Sequence, residues 1–179
     1  MTVFIALFRA IGGANQLPVQ PLREALSDAG FGSVATYIQT GNVVLKSDLD
    51  AQALVAKVGA VVQQRFGRPQ KIIARDARQW SEIIAANPFP DAVIDPKVLH
   101  VFVLEAEPAP EAVEVLESRQ VDRERVAVVG SAAYLHTPDG AGISKLVKSV
   151  ERLLKVPATA RNWNTMLKLQ EMAERAAAE

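Results

Sequence analysis

The period of the apolar positions changes repeatedly along the chain, and each change marks a new element. Val3 to Phe8 is apolar without a break and carries β-branched and aromatic members, which predicts a central strand buried on both faces. Arg9 to Gln16, with glycines at 12 and 13, predicts a loop. Pro21 then fits a first helical turn, Leu22, Ala25, Leu26 and Ala29 share one face, and Gly30 ends the helix. From Ser33 to Gln39 the period drops to two. Gly41-Asn42 reads as a two-residue turn, and Val43 to Lys46 as the returning strand of a hairpin. Ser47 or Asp48 fits the cap of a second helix that buries Leu54, Val55, Val58, Val61, Val62 and Phe66 and closes at Gly67. Lys71 to Ala74 completes a β-α-β-β-α-β order, the split pattern called ferredoxin-like.

Asp76 then fits the cap of a connecting helix with Trp80, Ile83 and Ile84 inward, stopped by Asn87-Pro88-Phe89-Pro90. Pro88, Pro90 and Pro96 mark a linker. The pattern restarts with a strand from Val98 to Leu104 and a helix carrying Ala112, Val113, Val115 and Leu116. Arg125 to Val129 and Ala132 to His136 flank Gly130-Ser131 as a second hairpin. After the turn at Pro138-Asp139-Gly140, a helix is expected with Ile143, Leu146, Val147, Val150, Leu153 and Leu154 on one stripe. A final helix is expected where a fourth strand would stand. There Pro157 stops the preceding element, Thr159 or Asn162 caps, and Trp163, Met166, Leu167 and Leu169 give the buried side. The expected class is therefore α+β. It comprises two related ferredoxin-like halves, residues 1–75 and 98–179, joined by a connecting helix and linker over 76–97, the second half ending in an extra C-terminal helix.

Composition narrows the chemistry. The chain has 179 residues, 49% of them hydrophobic, enough for a proper core. Twenty Lys and Arg balance 20 Asp and Glu, which removes the electrostatic case for bulk nucleic-acid binding. With no cysteine, thiolate catalysis, disulfides and cysteine-ligated zinc are excluded. The apolar start is too short to span a bilayer and lacks a basic leader. A cytoplasmic protein without a membrane partner is the expectation, and the oligomeric state is left open.

Any anion site must therefore be local. Helix starts and glycine turns beside a cation are where backbone N–H groups and charge converge on an anion. Three such places occur: Arg9 with Gly12, Gly13 and Asn15; Ser144-Lys145 after Gly140 and Gly142; and Arg161-Asn162 with Asn164 and Lys168. Tyr37, Gln39 and Asn42, on the first hairpin, should lie near the Arg9 loop and add a phenol and amides. Each feature has a plainer reading as turn, cap or solvated surface. His100 and His136 lack a ligand-set spacing, so no metal is expected. No cofactor is expected either. The serine elbow, the Walker loop and the dinucleotide fingerprint are all missing, as are the aromatics with which an open sheet stacks RNA bases.

Four stretches taken together are similar to one known family. They are Arg9 with its glycine loop, Thr36 to Val44, Ser144-Lys145-Leu146, and Ala160-Arg161-Asn162-Trp163-Asn164-Thr165. In that order they resemble the domain of unknown function 1697 family, bacterial proteins whose likeness to this chain extends from the first strand to Leu169. The resemblance implies an α+β fold of two related halves and no established reaction. Members usually read Arg-Gly-Ile-Asn-Val-Gly-Gly-Lys in the first loop, where this chain has Arg9-Ala10-Ile11-Gly12-Gly13-Ala14. The asparagine and lysine are gone, and Arg9 is the loop's one cation. The leading expectation is a binding module for a small anionic ligand, phosphorylated or nucleotide-like. An enzyme of unassigned class and a structural or partner-binding protein are the alternatives.

Overall fold

The structure, a computed structural model, describes residues 1–11, 16–39, 41–121 and 123–179. The protein is mixed α+β: among the described residues stand two four-stranded antiparallel sheets and six α-helices. The chain divides into two compact units, one of Met1–Glu82 with Lys168–Glu179, the other of Ile83–Leu167.

The first unit contains β1 (Thr2–Phe8), α1 (Val19–Asp28), β2 (Gly32–Tyr37), β3 (Asn42–Ser47), α2 (Ala51–Phe66) and β4 (Ile72–Asp76), with strand order β2-β3-β1-β4. β1 takes a central place because it is apolar on both faces. Phe4, Ala6 and Phe8, with Val43, Leu45, Ile72 and Ala74, pack against Leu22 and Leu26 of α1 and Leu54, Val58 and Val62 of α2. Val3, Ile5 and Leu7, alternating with them, are buried as well. The cap of α2 is Asp50, whose carboxylate accepts from Ala53 N at 2.8 Å. Ser47 and Asp48 do not cap it: Ser47 ends β3 and its hydroxyl accepts from Leu49 N. Asp76 does start α3 (Ala77–Ala85), through a reciprocal pair in which Asp76 Oδ1 accepts from Gln79 N at 2.7 Å and Gln79 Oε1 accepts from Asp76 N at 3.1 Å.

The second unit contains β5 (Leu99–Leu104), α4 (Pro110–Glu117), β6 (Arg125–Val129), β7 (Ala132–His136), α5 (Val150–Leu154) and β8 (Ala158–Asn162), with strand order β6-β7-β5-β8. Its core joins Phe102, Leu104, Ala133 and Leu135 to Leu116, Leu146, Val150 and Leu154. Tyr134 is fully buried, and its hydroxyl donates to the Ile83 carbonyl at 2.7 Å. Burial pushes that phenol up to about 12.

Two expectations for this half are corrected. A fourth strand exists: residues 158–162, read from Pro157 and Thr159 as the approach to a helix, pair with β5 from Leu104↔Ala158 to His100↔Asn162. The Ala-Thr-Ala-Arg-Asn segment has little strand propensity of its own, and pairing along β5 satisfies its backbone instead. The stripe expected from Ile143 to Leu154 is also broken, into a 3-10 turn at Val147–Ser149 followed by α5, and Ile143 is 71% exposed. The last helix, α6 (Trp163–Ala178), starts from Asn162, whose Oδ1 accepts from Thr165 N at 3.0 Å. It buries Trp163, Met166, Leu169, Ala173 and Ala176, a single stripe at helical spacing, while Leu167 is exposed. The two passages of the chain between units, at 82–83 and 167–168, thus fall inside α3 and α6.

Candidate functional site

In the first unit three segments converge at the end of β1. Phe8 N donates to the Gly41 carbonyl at 2.8 Å, and Arg9 N donates to the Lys71 carbonyl at 2.9 Å. The β2–β3 connection therefore lies directly on the chain leaving β1. Gly41 is held there by necessity: its φ is +73°, and a Cβ on it would stand 2.6 Å from Phe8 Cβ and 2.8 Å from Ile11 Cγ1. Asn42, expected at the turn, is instead the first residue of β3, opposite Tyr37. Its side chain is buried and donates to the Tyr37 carbonyl at 3.1 Å, so at least one of its amide protons serves the hairpin. Tyr37 is half-buried and Gln39 exposed on the connection. Two non-glycine residues here adopt left-handed backbone, Ala10 at φ +55° and Ile38 at φ +50°.

A cleft of about 340 Å³ opens at this end of the sheet, lined by Arg9, Ala10, Arg68, Pro69, Gln70 and Lys71. Its walls are tied across: the Gln70 amide donates to the Arg9 carbonyl, and the Arg68 guanidinium donates to the Gln16 carbonyl. Arg9 and Arg68 are half-buried and Lys71 is exposed. The sequence reading found Arg9 but missed Arg68, Gln70 and Lys71. The signal was in the topology, because an antiparallel β1–β4 pair places the entry to β4 beside the exit from β1. Gly12, Gly13 and Asn15 lie outside the described residues.

Most of the remaining candidates have local partners. Lys168, in the part of α6 that belongs to the first unit, pairs with Glu171 at 2.8 Å, and Arg175 reaches the same carboxylate at 3.0 Å. In the second unit, the buried Ser144 hydroxyl accepts from Val147 N at 3.1 Å and starts the short turn there, while Lys145 is exposed. Arg161 is half-buried in β8 opposite Val101, and donates to Thr159 Oγ1 at 2.8 Å and to the Ala160 carbonyl at 2.7 Å. Burial brings its guanidinium down to about 10. Asn162 is the cap of α6, and Asn164 is exposed in the first turn. Within one end of one sheet, the structure thus gathers Arg9, Tyr37, Gln39 and Asn42. Ser144, Lys145, Arg161, Asn162 and Asn164 belong to the other unit.

His136 Nδ1 faces the Arg125 guanidinium at 3.0 to 3.2 Å; Arg125 also pairs with Asp91 at 2.7 Å and lies 4.6 Å over the Phe89 ring. This cluster anchors the 3-10 turn Pro90–Ile94 to β6. Among the described residues, no group of three or more His, Asp or Glu side chains is placed to hold a metal ion. None of the described helices is long and apolar enough to cross a membrane.

Two antiparallel sheets built to one strand order, with a cationic cleft where the first central strand ends, define a two-unit α+β protein. The chain belongs to the family described as protein of unknown function (DUF1697), whose model matches residues 1–134. The motifs at Ser144–Leu146 and Ala160–Thr165 lie beyond that match. Among solved structures, the conserved bacterial protein SP0830 from Streptococcus pneumoniae is similar in fold. It has a TM-score of 0.75 at 22% identity, over 97% of this chain and 99% of that one. No curated protein matches the chain.

Proposed function

We propose that the protein is a binding module for a small anionic ligand, phosphorylated or nucleotide-like, held in the cleft at the end of β1. The observation that carries this reading is the gathering of Arg9, Arg68 and Lys71 on one cleft of a chain whose formal net charge is zero. Two guanidiniums offer forked donors to phosphate oxygens, and an ammonium adds a point charge. The Gln70 side chain, fixed by its bond to the Arg9 carbonyl, stiffens the wall. A volume of about 340 Å³ suits a compact ligand. Left-handed backbone at Ala10, which lines the cleft, places conformational strain beside it, where binding sites commonly store it.

We further infer that each unit is a ferredoxin-like half. The antiparallel strand order β2-β3-β1-β4 and its counterpart β6-β7-β5-β8 support that reading, as does the β-α-β-β-α-β sequence of elements in each.

Calorimetric titration with inorganic pyrophosphate and with ATP tests the ligand reading. Saturable binding that weakens with added salt is expected, with a loss of about tenfold or more in Arg9→Ala and again in Lys71→Ala. Absence of binding by both probes, or equal affinity in the variants, refutes it.

A further inference from the structure

We propose that the second unit carries an anion site of its own, a groove beside α4 and α5 that takes a small organic anion with an apolar body, of the aryl phosphate class. The groove is lined by Arg119 and Val121, which follow α4, by Lys145, Leu146 and Ser149 on the turn into α5, and by Arg152 and Leu153 on α5 itself. Its volume is about 300 Å³.

Charge and shape act together there. Arg119, Lys145 and Arg152 are exposed, and among the described residues none of the three has an ion-pair partner. Two acidic side chains close in sequence are engaged on strand backbone: Glu117 Oε1 accepts from Val128 N at 3.2 Å on β6, and Glu151 Oε1 accepts from Ala158 N at 2.7 Å on β8. Ser149 donates to the Lys145 carbonyl at 2.7 Å and accepts from Arg152 Nη2 at 3.4 Å, which sets that guanidinium over the turn.

Between these cations lie Val121, 56% exposed, the half-buried Leu153 and the buried Leu146. Inorganic phosphate would meet the charges and leave that aliphatic surface wet. An anion with a flat hydrocarbon ring meets both, its oxyanion on Arg152 and Lys145 and its ring on Val121 and Leu153. This inference does not rest on the reading of the Arg9 cleft, since different side chains in the other unit would carry it.

The test is titration of the isotope-labelled full chain with phenyl phosphate, inorganic phosphate and phenol, read from backbone amide shifts. Phenyl phosphate is expected to shift amides across residues 145–153 saturably and to bind about tenfold more tightly than inorganic phosphate, and phenol not to saturate. Lys145→Ala with Arg152→Ala should weaken phenyl phosphate by about tenfold or more. Val121→Ser should weaken phenyl phosphate and leave inorganic phosphate unchanged. Arg9→Ala should leave the binding of both read at residues 145–153 unchanged, which separates this site from the first. Absence of saturable shifts across residues 145–153 overturns the proposal, as does phenyl phosphate binding there no better than inorganic phosphate or equally well to the double variant. Should the double variant fail to fold, the Val121→Ser comparison alone decides.

Discussion

The close approach of the β2–β3 connection to β1 can be measured as a difference between two glycines. Gly41 and Gly67 have nearly the same left-handed backbone, φ +73° and +70°. Around Gly67 nothing lies within 4 Å of an added Cβ, whereas at Gly41 that atom would meet Phe8 Cβ at 2.6 Å and Ile11 Cγ1 at 2.8 Å. Gly67→Ala therefore adds only the cost of an L-residue in that conformation, about 1–2 kcal/mol. Gly41→Ala adds the same cost plus overpacking of about 1–3 kcal/mol, because Phe8 is fully buried and has no room to retreat. The expected gap is thus about 1–3 kcal/mol, or about 5- to 150-fold in the folding equilibrium. The assay is urea unfolding followed by the fluorescence of Trp80, buried in the first unit, in a Trp163→Phe background that removes the only other tryptophan. If the two glycine variants unfold at the same urea concentration, the connection does not press on β1, and the cleft loses the contact that fixes one of its neighbours.

Two further outcomes follow from local chemistry. His136 is held below the ordinary imidazole value by burial and then by Arg125 and Arg123, with Asp91 and Asp95 pulling the other way. Because its folded value is depressed, its contribution to stability is intact above the unfolded value of about 6.5 and is lost as pH falls through the folded value. Proton NMR should show Arg125→Ala raising the His136 midpoint while leaving that of His100, which is lowered by burial alone; an unmoved His136 refutes the assignment. Ala10 occupies φ +55°, a left-handed backbone that favours glycine. Ala10→Gly should raise stability by about 1 kcal/mol in the same urea assay, and a loss would contradict that backbone.

Legibility varied with how far each element's pattern was its own. β1, α1 and both hairpins could be read directly, because uninterrupted or alternating apolar runs and glycine turns state their burial locally. β8 could not. Ala158 to Asn162 carries no period, and its strand character comes from the paired β5, so proline and threonine read as punctuation instead. Ile143 looked like the start of a stripe only while the helix was assumed to be continuous. The site divided in the same manner: Arg9 stood out beside its glycines, while Arg68 and Lys71 acquire meaning only from the antiparallel neighbour that brings them back to it. Asn162 and Ser144 carried cap chemistry that resembles ligand chemistry, since both present an oxygen to backbone N–H groups.

The assignment of residues 168–179 to the same unit as residues 1–82 bears on how the molecule is made. Leu169, Ala173 and Ala176 are buried, so the unit synthesised first lacks part of its interior until the ribosome has finished the other. Domains ordinarily fold in the order in which they emerge. Here residues 83–167 can mature first, and residues 1–82 must wait, partly open, for residues 168–179 to arrive.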